Sequence, residues 1–254
     1  MNLIPNKKQP YVGESAFAHK GGMHADAVNK DPKTYEHISP GDVGNIRRIL
    51  ASDLSGKSNI LAKAKEFGIE LDDENIKIIT GLVKEKESKG YHYEAADASL
   101  KILMLRVKNK HIDFFKTDSF KVMTERSNGK DISHATVILS INNKKVETTS
   151  EGNGPVDALN KELRKTINEF YPSVEKIHLT DFKVRIIDGN NATEAATRVL
   201  IESSDGNEVW TTVGVSKDII TASYEALVEG IEYGLLCIYK WKYLNTQTIY
   251  KLYK

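Results

Sequence analysis

The chain has 254 residues, 40% of them hydrophobic and 28% charged, enough to bury the core of one large domain or two small ones. Its 36 Lys and Arg nearly cancel 35 Asp and Glu, so no global field draws it to nucleic acid or to an anionic membrane surface. A lone cysteine, Cys237, excludes an internal disulfide and a multi-cysteine zinc site and fits a reducing compartment, with the cytoplasm as default. The N-terminus has no apolar signal region, and no window approaches the roughly 18 apolar residues of a spanning helix. Neither export nor membrane insertion is expected.

Residues 1–56 are rich in Gly, Pro, His and Asp, which predicts short helices and ordered loops that need a partner surface. From Ser58, the residues Ile60, Leu61, Ala64 and Phe67 keep helical spacing up to Gly68, a C-cap candidate. Asp72 or Asp73 can cap a second helix with an apolar stripe of Ile76, Ile79, Leu82 and Val83, and a third helix is expected over Tyr93–Val107. A charged connector follows around Lys108–Lys116.

The period then moves towards two. Phe120–Glu125, Ala135–Ile141 and Lys145–Thr149 read as strands, with Asn142-Asn143 as a hairpin turn. Gly152-Asn153-Gly154-Pro155 opens a helix whose buried face is Val156, Leu159, Leu163 and Ile167. The order recurs over Lys176–Ile187, Ala196–Glu202, Glu208–Val213 and a helix from about Lys217 to Leu235. This is a duplicated βββα unit. The expected fold class is α+β: small helical linker subdomains over 1–56 and 57–110, then a duplicated βββα domain over 111–254.

Chemistry-bearing residues concentrate in Phe17-Ala18-His19-Lys20-Gly21-Gly22-Met23-His24-Ala25-Asp26. Zinc binding is weak here, because Gly-Gly separates the histidines and no third ligand is evident. General acid or base work suits the cluster better, with Asp26 able to orient a ring; the plain alternative is a loop whose histidines cap helices or bond to backbone. Tyr35 can donate to a ligand or simply pack at a turn. Gly56-Lys57-Ser58 resembles the end of a phosphate loop, but Ala51 stands where that motif needs glycine, so nucleotide binding is discarded. At Gly152–Pro155, free N–H groups at a helix start favour a carboxylate, and a second such end is expected near Gly214, Val215 and Ser216. Turn chemistry at a strand-to-helix junction explains the same residues without a ligand.

The strings Tyr11-Val12-Gly13-Glu14-Ser15-Ala16-Phe17-Ala18-His19-Lys20-Gly21-Gly22-Met23-His24, Thr34-Tyr35-Glu36-His37-Ile38, Leu54-Ser55-Gly56-Lys57-Ser58-Asn59 and Glu151-Gly152-Asn153-Gly154-Pro155-Val156 extend over much of the chain. In order and spacing they resemble the C-terminal region of the 2-isopropylmalate synthase superfamily, closest to its citramalate synthase branch. That resemblance implies a homodimer whose N-terminal TIM barrel, absent from this sequence, condenses acetyl-CoA with pyruvate by a Claisen-type addition and thioester hydrolysis, controlled by an end-product amino acid. It further implies that His24 and Tyr35 act in trans on a partner's barrel, with His19 and Asp26 in support. The divalent metal of such enzymes is expected on the barrel, and neither a metal nor a cofactor in this chain. The resemblance places an effector, isoleucine in the citramalate branch or leucine in the other, near Gly152, Asn153, Gly154, Pro155, Val156, Asp157, Gly214 and Val215. The alternatives are the regulatory part of a 2-isopropylmalate synthase in leucine biosynthesis, a stand-alone amino-acid-binding sensor, and a split enzyme whose barrel is a separately encoded chain. Residues 238–254 run past the expected last helix and carry no assigned function.

Overall fold

The computed structural model describes residues 6, 8–13, 15–51, 56–111, 113–187 and 195–252, without the side chains of Ser127 and of the final helix beyond Tyr239. Glu14, Leu54 and Ser55 of the strings above therefore lie outside the described residues. The fold is α+β, and compactness divides the chain into two units. One comprises the segment up to Glu94 with Leu103–Lys110, the other Ala95–Ile102 and the chain from His111 onward.

The first unit opens with a two-residue parallel pair, β1 (Ala18–His19) against β2 (Arg48–Ile49), with α1 (Gly22–Lys30) and two 3₁₀ turns, Pro32–Thr34 and Pro40–Val43, between them. Helices α2 (Lys57–Glu66) and α3 (Asp73–Ser88) complete its core, where Ala25 and Val28 of α1 join Ile60, Ala64, Ile76, Ile79 and Val83. The helix boundaries follow from local chemistry. Gly68 takes φ +67 just past α2, and the Ile69 amide donates back to Ala64 O at 2.7 Å, the left-handed stop that glycine makes inexpensive. Asp72 caps α3 by accepting from the Asn75 amide at 2.7 Å. Fully buried Asn59 donates through Nδ2 to Lys20 O (3.0 Å) and Leu50 O (2.8 Å), tying α2 to the segments that flank β1 and β2. The third expected helix starts later than Tyr93, since Tyr93–Ala95 forms a 3₁₀ turn before α4 (Asp97–Val107).

The second unit is two antiparallel meanders, each followed by a helix. The first contains β3 (Lys116–Ser127), β4 (Lys130–Ile141), β5 (Lys144–Gly152) and α5 (Pro155–Asn168); the second contains β6 (His178–Ile186), β7 (Thr197–Ser204), β8 (Val209–Ser216) and α6 (Ile219–Leu252). Asn142 and Asn143 turn the β4–β5 hairpin at φ 50 and 62, the doubly left-handed turn that suits strand twist. Alternate residues Ala135, Val137, Leu139 and Ile141 are buried on β4, as are Leu159, Leu163 and Ile167 on α5; Val156 is only half-buried, outside the face assigned to it. The duplication reaches into irregularities: β3 slips register between Thr117 and Ser119, and β6 between Leu179 and Asp181, the same positions 62 residues on. Each repeat also has a glycine where the last strand meets its helix. A Cβ on Gly152 would stand 2.4 Å from Ala158 N, and one on Gly214 would stand 2.0 Å from Ala222 O. Among the described residues no helix is long and apolar enough to cross a membrane.

Candidate functional site

His24 sits on the first turn of α1, exposed, its ring stacked on Tyr35 with centroids 4.2 Å apart and planes at 28°. Tyr35 closes the 3₁₀ turn Pro32–Thr34, which begins at the Asp31 cap, and is half exposed. Beside Tyr35 in sequence, Glu36 is the electrostatic anchor of this surface. Its carboxylate, 3% exposed, accepts from Arg47 Nε at 2.8 Å and Nη2 at 2.6 Å, and lies 3.0 Å from His19 Nε2. The Arg47 hydrogen bond holds the Glu36 carboxyl below its ordinary 4.5; burial opposes that shift and His19 assists it. The same pairing raises Arg47. Glu36 thus remains ionised near neutrality and fixes the backbone that carries Tyr35 under His24.

The expected constellation is rearranged in one respect. Asp26 meets neither histidine: it pairs with Lys30, one helical turn away on the exposed side of α1, at 2.7 Å. The carboxylate that engages a histidine is Glu36, contributed across a loop to His19. Around this cluster, Tyr11 Oη lies 3.3 Å from His37 Nε2, and Asn45 Nδ2 holds the 11–13 segment through the carbonyls of Tyr11 (2.7 Å) and Gly13 (2.9 Å). Met23 is 84% exposed and Ile46 62%. An exposed imidazole with a phenol beside it can move a proton for a ligand that approaches from outside. Among the described residues no three His, Cys, Asp or Glu side chains converge where a metal ion could be held.

The two helix starts of the second unit differ. Gly154 is the N-cap of α5, extended, with no side-chain cap, and Pro155 occupies the first turn. Asp157 accepts from the Asn153 amide at 2.9 Å and from Lys161 at 2.8 Å, and its carboxyl is held below the ordinary 3.8, mainly by Lys161. Asn153, Gly154, Pro155, Val156 and Asp157 therefore gather at an open helix end, while Gly152 is buried against Ala158. The α6 end is filled by its own carboxylate. Asp218 accepts from the amides of Ile220 (3.2 Å) and Thr221 (2.9 Å) and from the Thr221 hydroxyl (2.6 Å). These bonds depress its pKa, the Thr221 hydroxyl foremost. Gly214 and Val215 lie back on β8, where Gly214 touches α6 and the Val215 amide donates to Glu225 at 3.3 Å. Glu36, Arg47 and Asp218 were not singled out in the sequence. Asp218 had a signal, an acidic residue directly before a helical run; Glu36 and Arg47 had none beyond lying in the Tyr35 string and near it.

The class of protein the fold defines is a doubled meander-plus-helix module with one uncapped helix end, accompanied by a helical unit that exposes a histidine–tyrosine pair. Residues 94–235 match the family model described as the LeuA allosteric (dimerisation) domain, and residues 11–91 match the homocitrate synthase post-HMGL domain-like model. An "(R)-citramalate synthase" from Geobacter sulfurreducens is 47% identical over 239 residues, covering 92% of this chain and 45% of the relative. One from Synechocystis sp. is 49% identical over 242 residues, 92% of this chain and 44% of the relative. A "Probable 2-isopropylmalate synthase" from Methanopyrus kandleri is 35% identical over 224 residues, 87% and 43% respectively. The chain belongs to the citramalate synthase and 2-isopropylmalate synthase family. It spans less than half the length of these relatives.

Proposed function

We propose that this chain is the linker and regulatory part of a citramalate synthase, which condenses acetyl-CoA with pyruvate to give (R)-citramalate under feedback control in isoleucine biosynthesis. The observation that carries the catalytic half of this reading is the exposed His24 ring stacked on Tyr35. In isolation such a pair has nothing to act on; beside a catalytic barrel of the partner subunit it would supply a proton acceptor and a phenol donor to the acetyl group or to water. Exposed Met23, Tyr11, Val12 and Ile46 around it suit a surface that docks on another domain. Glu36, Arg47 and His19 hold that surface in shape. The divalent metal belongs to the barrel in this reading. The protein works in the cytoplasm as a homodimer.

The effector lies at the α5 start. The uncapped amides following Gly154 would take the carboxylate of a free amino acid, isoleucine in the citramalate branch and leucine in the other. The closer sequence agreement with relatives named citramalate synthase favours isoleucine.

The test adds this chain to the separately expressed catalytic part of a related citramalate synthase and follows coenzyme A release from acetyl-CoA and pyruvate. Turnover that requires the chain and disappears with His24→Ala supports the proposal. Binding of an amino acid with no turnover in any combination would favour a stand-alone sensor instead.

A further inference from the structure

Tyr11 is held in a backbone conformation that its side chain disfavours. Five non-glycine residues among those described have positive φ; four are asparagines, and the fifth is Tyr11 at φ 64. Asparagine tolerates the left-handed region, whereas a bulky residue stays there only when its surroundings impose it. Those surroundings are visible. Asn45 Nδ2 donates to the carbonyls of Tyr11 (2.7 Å) and Gly13 (2.9 Å), and the amides of Val12 and Gly13 close turns onto Pro10 O (2.8 Å) and Gln9 O (2.9 Å). Burial of the ring does not offset the strain, since Tyr11 is 46% exposed.

What the strain secures is a contact with His37. The two rings stand edge to face with centroids 5.8 Å apart, and Tyr11 Oη lies 3.3 Å from His37 Nε2. Among the described residues neither Tyr11 Oη nor the His37 ring has a second polar partner. His37 is exposed and follows Tyr35 by two residues, with buried Glu36 between them clamped by Arg47. Residues 45–47 therefore brace both sides of the pair: Asn45 sets Tyr11, and Arg47 sets the segment that carries Tyr35 and His37. The contact has the same consequence in either neutral tautomer. If Tyr11 donates to Nε2, the ring proton sits on Nδ1 and is left free; if Nε2–H donates to Tyr11, the phenol proton is left free. Each arrangement leaves one donor unused on an exposed, fixed ring.

We propose that Tyr11 and His37 form a substrate-binding pair on the surface that carries His24 and Tyr35, donating a pre-set hydrogen bond to an acceptor oxygen of the substrates: a carbonyl of the acyl-CoA, or the carboxylate or keto oxygen of pyruvate. The inference rests on the reading of His24 and Tyr35 as residues donated to a partner's barrel, and it adds a binding contact to that site. A donor whose geometry is already imposed spares the complex the ordering of a free side chain, which is what the Asn45 clamp supplies.

Steady-state kinetics of the full chain combined with the separately expressed catalytic part of a related citramalate synthase test it, with acetyl-CoA and pyruvate varied in turn. Tyr11→Phe and His37→Phe each keep a ring in place and remove a polar partner. Both are expected to raise KM for one substrate by about 3–10-fold, the loss of one neutral hydrogen bond, with little change in kcat and an unchanged circular dichroism spectrum. A rise confined to acetyl-CoA places the acceptor on the thioester and its arm; a rise confined to pyruvate places it on the keto acid. Wild-type KM for both substrates in both variants, or a fall in kcat with neither KM moved, overturns the binding pair while the His24 reading stands. A wild-type chain that supports no turnover defeats the His24 reading and this inference with it. Ring ¹⁵N shifts of the chain alone give a readout independent of turnover: His37 in a single tautomer in wild type and averaged in Tyr11→Phe is expected, and averaging in wild type overturns the fixed donor.

Discussion

Gly214 lies where strand and helix backbones touch, so Gly214→Ala should damage the second unit out of proportion to one methyl group. The added carbon would stand 2.0 Å from Ala222 O and 3.0 Å from Ala222 C and Ala226 N. All three are backbone atoms, which no rotamer change moves aside. The strand is held by its pairing with β7, Gly214 opposite Val199, and the helix by Thr212 Oγ1 donating to Ala226 O at 2.7 Å and Trp210 Nε1 to Gly230 O at 3.0 Å. Relieving the overlap moves α6 from β8 by about 1 Å and loosens a close-packed layer. Overpacking of this kind costs about 1–3 kcal/mol, and alanine recovers only about 0.4–1 kcal/mol through a stiffer unfolded chain where it fits without strain. At about 2–4 °C per kcal/mol for a chain of this size, the midpoint of the melt should fall by several degrees. Thermal melts by circular dichroism should place Gly214→Ala well below wild type, with Gly152→Ala lowered for the same reason. Gly154→Ala, whose Cβ meets nothing within 4 Å, should stay within about 0.5 kcal/mol of wild type. Equal melting of Gly214→Ala and wild type would refute the packing argument.

Three further outcomes are expected. Gly81 sits inside α3 with open space around its Cβ, so Gly81→Ala should raise stability by about 0.5–1 kcal/mol in urea unfolding. Asp218→Ala removes the carboxylate cap of α6 and should cost about 0.5–2 kcal/mol, read as a lower urea midpoint at neutral pH. Glu36 has a depressed folded-state pKa, so its contribution is present above its ordinary value of 4.5 and is lost as pH falls through the lowered value. Glu36→Gln should therefore cost about 1–3 kcal/mol at pH 7, and the gap to wild type, followed by urea titrations down the acid range, should close as the wild-type carboxylate protonates.

Elements governed by nearest neighbours were legible in the sequence. Gly68 stops α2, Asp72 starts α3 and Asn142-Asn143 turns a hairpin because each acts through its own backbone or that of a residue a few positions away. The two-residue β1–β2 pair was not legible, since its pairing joins positions 30 apart with no periodicity to announce it. The site divides along the same line. His24 and Tyr35 were named and are found stacked, but the choice between Asp26 and Glu36 as the carboxylate for a histidine depended on how α1 turns Asp26 towards Lys30. The open α5 end was visible in Gly154-Pro155, where no capping side chain stands. The α6 end was misjudged by position: strand β8 continues to Ser216, and the helix starts only after Asp218 has filled its N-terminus.

The central claim is that the second unit senses a branched-chain amino acid, and calorimetric titration of the purified chain with isoleucine and leucine tests it most directly. Saturable heat with isoleucine preferred over leucine is the result this account expects; a well-folded dimer that gives no saturable heat with either amino acid would contradict it.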